Sequence, residues 1–131
     1  MNLERVTAHL RHHLPSLIAI YLFGSQASGD ATEASDVDLA VLVEGRLDPL
    51  SLWGLMGDVA DIVKRPVDLL DLRSASTVMQ YQIITRGRRL WSSGVAAGLY
   101  EAFILSEKTN LDVARAGLLT DIGEAGIVHA R

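Results

Sequence analysis

The spacing of apolar residues changes period several times along this chain, and each change predicts an element. Leu3, Val6, Leu10, Leu14 and Leu17 recur every three or four positions, the mark of an amphipathic helix that Pro15 should end or kink. Positions 17–23 are an unbroken apolar run of seven residues with β-branched and aromatic side chains, which predicts a strand. A second strand is expected over 37–43. There Val37, Leu39, Val41 and Val43 share one parity, so one face is apolar while the other opens with Asp36 and Asp38. Asp48-Pro49 reads as a helix start, Asp as N-cap and Pro as first helical residue, and Trp53, Met56, Val59, Ala60 and Val63 follow before Pro66. A third strand is predicted over 67–72, then a helix capped by Ser74 or Ser76, carrying Val78, Met79, Ile83 and Ile84 and closed by Gly87. Leu90-Trp91 forms a short last strand, followed by a Ser92-Ser93-Gly94 linker.

Past the linker, 97–119 predicts one more helix, with Leu99, Phe103, Ile104, Leu111 and Leu118 as an apolar stripe. Such a stripe is by default core, although a small sheet leaves part of a helix this long for a partner. The tail over 121–131 holds two glycines and is expected to be loosely ordered by itself. Strands alternating with helices predict an α/β (α+β) fold, a small mixed sheet flanked by helices. Residues 1–92 would be its core and 93–131 a C-terminal helical extension of the same domain.

Two short motifs carry candidate chemistry. Gly24-Ser25 closes the first strand, and Asp36-Val37-Asp38 opens the second after a spacer of ten residues. Side chains at i and i+2 leave the same strand face, about 6.6 Å apart along the backbone. Paired carboxylates so placed suit Mg²⁺, a hard cation that completes its octahedron with water and substrate phosphate. Two such ions, about 3.5–4 Å apart, can stabilise both the attacking and the leaving oxygen of an in-line displacement at phosphorus. A third carboxylate is available in the 67–72 run, where Asp68 and Asp71 have opposite parity and cannot share a face. Asp68, nearer the start of its strand, is favoured; Asp71 is expected at the strand end or the turn that follows. Three clustered carboxylates repel by about 3 kcal/mol per pair at about 5 Å and an effective dielectric near 20. They should therefore bind metal or carry a raised pKa.

Glycine permits close backbone approach to a phosphate and tolerates positive φ. Residues 26–29 can form a helical turn whose free amides point at an anion, and the Ser25 hydroxyl can add a hydrogen bond.

Composition narrows the field. Twelve Lys and Arg against 16 Asp and Glu leave a net charge of −4, which argues against direct nucleic-acid binding. The densest basic cluster, Arg86, Arg88 and Arg89, reads as a solvated helix end or as a source of one arginine for a triphosphate or base. The absence of cysteine excludes disulfides and a thiol nucleophile. An apolar run of seven is far short of the roughly 20 residues that span a bilayer. No membrane association is expected, and without a signal-like start the expected location is cytoplasmic. His9 and His13 share a helical face, but no third ligand accompanies them, so they read as surface histidines. At 131 residues there is room for a nucleotide site but not for a separate acceptor domain. The acceptor must be small, or its binding surface must come from another chain.

The stretches Leu22-Phe-Gly-Ser-Gln-Ala-Ser-Gly29, Ser35-Asp-Val-Asp-Leu-Ala-Val-Leu42, Val67-Asp-Leu-Leu70 and Ile84-Thr-Arg-Gly-Arg-Arg-Leu-Trp91 resemble the signature of the nucleotidyltransferase superfamily with the DNA polymerase β fold. The likeness is greatest to the minimal nucleotidyltransferase (MNT) subfamily and covers about residues 1–92. It implies that Gly24 and Ser25 bind a nucleotide triphosphate and that Asp36, Asp38 and Asp68 carry two Mg²⁺ ions. MNT proteins resembling this chain are antitoxins of the HEPN/MNT (HepT/MntA) type, paired with a HEPN-domain ribonuclease toxin. That resemblance implies transfer of AMP from ATP to a tyrosine of the toxin. The chain departs from many such relatives in its spacer, which carries Gln26, Ser28, Asp30 and Glu33 and no arginine. Two other readings stand beside this one: a small-molecule nucleotidyltransferase of the aminoglycoside-modifying kind, and an antitoxin that acts by binding alone.

Overall fold

The computed structural model describes residues 1–32 and 35–125. Helix α1 (Leu3–His13) starts where the Asn2 side chain accepts a hydrogen bond from the Arg5 amide at 3.0 Å, and it stops before Pro15. Leu17, which continues the helical spacing, instead opens strand β1 (Leu17–Phe23). A single helical turn, α2 (Ser25–Ser28), leads to strand β2 (Val37–Val43). Helix α3 (Pro49–Val63) is capped by Asp48, whose carboxylate accepts from the Ser51 amide at 3.1 Å. Strand β3 (Val67–Asp71) is one residue shorter than the apolar run, because Leu72 turns into a 3-10 segment (Leu72–Ser74). Ser76, not Ser74, caps helix α4 (Thr77–Arg86), accepting from the Met79 amide at 3.1 Å. Strand β4 (Arg88–Ser92) and helix α5 (Val95–Ala125) complete the series.

The four strands form one mixed sheet in the order β3-β2-β1-β4. β1 runs antiparallel to β2 and β4, while β2 and β3 are parallel, with α3 as the crossover between them. Helices lie on both faces. Val37, Leu39, Val41 and Val43 pack with Val6, Leu10, Leu55 and Val59 beneath α1 and α3. Ala40 and Leu42 pack with Ala19, Tyr21, Ile83 and Ala97 beneath α4 and α5. Past Asp38, then, β2 is buried on both faces rather than apolar on one, because helices cover the sheet on each side.

Two expectations need correction. The apolar stripe of α5 is not core along its length. Ala97 and Ile104 are buried, whereas Leu99, Phe103 and Leu118 are exposed. The helix reaches the sheet through only part of its surface and then runs on, exposed from Asp112 to Leu119. It also takes in positions 121–125 of the glycine-containing tail, and 126–131 lie outside the described residues. Gly87 closes α4, but not through a left-handed cap: its φ is −77°. A side chain there would run into the Ile83 carbonyl and come within 2.9 Å of the Leu22 carbonyl, so Gly87 lets α4 end hard against β1. No helix among the described residues is long and apolar enough to cross a membrane.

Candidate active site

Strand pairing brings the two motifs together. Phe23, the last residue of β1, stands opposite Asp38 on β2, so the chain turns at Gly24 beside that carboxylate. Gly24 adopts φ 70° and ψ −151°, a backbone region that favours glycine, and an added Cβ would collide with Asp38 Oδ2. The turn can lie this close to the acid only without a side chain. After it, the amides of Ala27 and Ser28 bond to the Gly24 carbonyl at 3.1 Å each. The amides of Ser25 and Gln26, ahead of them, find no acceptor among the described residues, and the Ser25 hydroxyl makes no hydrogen bond there.

The parallel register aligns Asp38 with Asp68, side by side on the face that carries Ala40 and Leu42. Asp36 and Asp68 are exposed and Asp38 is half-buried. Burial first, then the charges of Asp68 and Asp36, push the Asp38 carboxyl above its ordinary value. Among the described residues no donor reaches any of these three carboxylates, and no three His, Asp or Glu side chains close on one point as a ready metal cage. The donor set itself, hard carboxylate oxygens at strand ends with none already spent on the protein, fits Mg²⁺.

Asp71 lies elsewhere. It is 4% exposed and accepts hydrogen bonds from the Leu47 amide at 3.0 Å, the Arg73 amide at 3.2 Å and the Ser74 hydroxyl at 3.4 Å. Its carboxylate joins the loop after β2 to the turn after β3.

A cleft of about 380 Å³ opens beside Gly24, lined by Phe23, Ser28, Met79, Gln82, Ile83 and Arg86. Met79, Gln82, Ile83 and Arg86 follow helical spacing on α4, so one face of that helix forms the wall opposite the glycine turn. The basic cluster is divided by its surroundings. Arg86 lines the cleft, Arg89 pairs with Glu101 at 2.9 Å, and Arg88 is an exposed residue of β4 opposite Leu22. Met79 and Gln82 carried no chemical signal in the sequence; only the i, i+3, i+4, i+7 spacing with Arg86 could have grouped them. The spacer is tied down by Arg65, whose guanidinium donates to the Thr32 carbonyl at 3.3 Å. His9, on the far side of the sheet, hydrogen-bonds Asp58 Oδ2 at 2.9 Å and joins α1 to α3.

A small mixed sheet covered by helices on both faces, with unpaired carboxylates at neighbouring strand ends and a glycine turn beside them, is the arrangement expected of a nucleotidyltransferase. The chain belongs to the polymerase β nucleotidyltransferase family, whose model matches residues 4–94. It is 36% identical to protein adenylyltransferase MntA of Shewanella oneidensis over 122 residues, 93% of this chain and 88% of that protein. A crystal structure of a toxin-antitoxin with AMP-PNP superimposes with TM-score 0.82 at 36% identity, covering 93% of this chain and 98% of that one. The MNT antitoxin in complex with a tri-AMPylated Shewanella oneidensis HEPN toxin superimposes with TM-score 0.74 at 34% identity, over 91% and 93% of the two chains.

Proposed function

We propose that this chain is a protein adenylyltransferase that moves AMP from ATP onto a tyrosine hydroxyl of a HEPN-domain toxin and so silences it as its antitoxin. The observation that carries the reading is the set of three unpaired carboxylates, Asp36, Asp38 and Asp68, beside the Gly24 turn. Its similarity over 93% of its length to an adenylyltransferase, and to an antitoxin seen with an AMPylated HEPN toxin, supplies the acceptor. Residues 1–92 serve as the catalytic core, with helix α5 as its extension. ATP and Mg²⁺ are both available in the cytoplasm, where this chemistry belongs.

The phosphates of ATP lie against the turn, where the Ser25 and Gln26 amides and the Ser25 hydroxyl donate to their oxygens. Asp36, Asp38 and Asp68 would hold two Mg²⁺ ions, which supply positive charge to the phosphates and lower the pKa of the acceptor hydroxyl. Arg86 provides a side-chain cation from the α4 wall, where the arginine-free spacer provides none. The tyrosine hydroxyl gives up its proton to water as its oxygen attacks the α-phosphorus in line, the bond from that phosphorus to the bridging oxygen breaks, and pyrophosphate leaves. Positioning and fixed charge carry the rate.

Co-expression with a HEPN-domain toxin, followed by intact-mass spectrometry, tests the reading. The partner should gain mass in multiples of one AMP, and Asp36→Asn/Asp38→Asn should abolish the gain. If that double variant still silences the partner fully, neutralisation works by occlusion and the catalytic reading fails.

A further inference from the structure

Helix α4 carries two glutamines two residues apart, and the fold treats them differently. Gln80 is buried and spent. Its amide donates to the Ala75 carbonyl at 2.9 Å, and its side-chain carbonyl accepts from the Tyr100 hydroxyl at 2.6 Å. Gln82 is exposed and lines the cleft beside Gly24, and its carboxamide makes no hydrogen bond among the described residues. The other polar side chains of that cleft offer less. The Ser28 hydroxyl donates to the Ser25 carbonyl at 3.3 Å and to Asp30 at 3.0 Å, while Arg86 has donors only. Among the described side chains lining the cleft, Gln82 alone brings a free donor and a free acceptor side by side.

The cleft also has a direction. Gly87, at the end of α4, sits hard against the Leu22 carbonyl, so Arg86 stands at the end of β1 where the chain turns at Gly24. Along the axis of α4, Gln82 lies about 6 Å back from Arg86 and Met79 about 10 Å back. The glycine turn and a cation thus close one end of the cleft of about 380 Å³. Leading away from them, the α4 wall is Ile83, Gln82 and Met79, apolar surface with one amide. A triphosphate held at the turn sends its nucleoside along this wall. A purine is apolar on its faces and polar at its edge, and apolar lining with one placed polar group suits it.

We infer that this part of the cleft seats the adenine of ATP, with Met79 against the ring and the Gln82 carboxamide on its N6/N7 edge, so that Gln82 sets the preference for ATP over GTP. The Gln82 carbonyl accepts from the N6 amino group and its amide donates to N7. Guanine presents two acceptors, O6 and N7, at the same edge, which leaves the Gln82 carbonyl facing an oxygen. The inference rests on the protein-adenylyltransferase reading and names the residue that selects its nucleotide.

Calorimetry with Mg²⁺ and AMP-PNP or GMP-PNP tests it without the partner protein. The wild type should bind AMP-PNP at least tenfold more tightly than GMP-PNP. Gln82→Met, a helix-forming change of similar size at an exposed position, should weaken AMP-PNP at least fivefold and GMP-PNP less than twofold. The retained GMP-PNP affinity shows that the variant is folded. An ATP analogue with carbon in place of N7 should bind the wild type at least threefold more weakly than ATP, and Gln82→Met no differently from ATP. Arg86→Met should weaken AMP-PNP and GMP-PNP alike. A loss confined to AMP-PNP in Arg86→Met would overturn the assignment by placing the base at Arg86. Equal binding of both nucleotides by the wild type, or equal losses in Gln82→Met, would overturn the role of Gln82 while leaving the adenylyltransferase reading intact. A wild-type protein that binds neither nucleotide would remove that reading, and the inference with it.

Discussion

Asp68 and Asp71 lie three residues apart on one short strand and in opposite circumstances. Asp68 is exposed, stands in register with Asp38, and has no hydrogen-bond donor among the described residues. Asp71 stands in register with Val41, is buried, and satisfies two amides and a hydroxyl. Odd spacing on a pleated strand sends the two side chains to opposite faces. One face carries the crowded acids at the mouth of the cleft; on the other, the turn after β2 closes over the strand end. A carboxylate whose lone pairs are consumed by the protein holds the fold together. One left unpaired beside two others is costly to the metal-free fold and is available to a cation.

This contrast can be broken most forcefully from the catalytic side. Asp36→Asn or Asp38→Asn should reduce AMP transfer roughly 10³-fold, about 4 kcal/mol of transition-state stabilisation, while leaving the melting temperature unchanged or slightly raised. Labelled-ATP transfer and thermal melts on the same samples measure both. Asp71→Ala should do the reverse, costing about 3 kcal/mol of stability in denaturant titration because it strands buried donors. Transfer per folded molecule should persist. Asp68→Asn falls next, with transfer down roughly 10²-fold and no loss of stability. If Asp71→Ala abolished transfer in folded protein while Asp68→Asn did not, the two roles would be exchanged.

Gly24→Ala sharpens the same comparison from the turn. It should cost about 2 kcal/mol in strain and collision with Asp38, with a weaker affinity for AMP-PNP as the readout. The smallest effect is that of the cation alone. Mg²⁺ at ten times its Kd should stabilise the wild type by about 1.4 kcal/mol, a melting shift of roughly 5 °C. In the Asp36→Asn/Asp38→Asn protein the shift should vanish.

The elements were largely legible because their signals are local. Residues 17–23 and 37–43 became strands at those limits, and Asp48-Pro49 began a helix, since run length, parity and capping act within a few positions. Helix α5 was only partly legible, for the complementary reason. A stripe of Leu99, Phe103, Ile104 and Leu118 has the same spacing whether or not anything covers it, and only the size of the sheet leaves Leu99, Phe103 and Leu118 bare. Gly87 was readable as a helix end but not as the point where α4 meets β1, because its neighbour Leu22 lies far off in sequence.

The candidate site divides the same way. The sequence by itself determined which residues have the chemistry: a glycine-serine turn, two acids at strand spacing, and a third acid on a later strand. Tertiary structure alone decided that β3 joins β2 in parallel with Asp68 level with Asp38, and that Asp71 is spent on loop amides. It also turned Arg86, rather than Arg88 or Arg89, toward the cleft. Chemical identity and local periodicity are carried by neighbouring residues along the chain. Register, burial and the satisfaction of a carboxylate are set by strands and loops 20 or more residues apart, which meet only when the sheet forms.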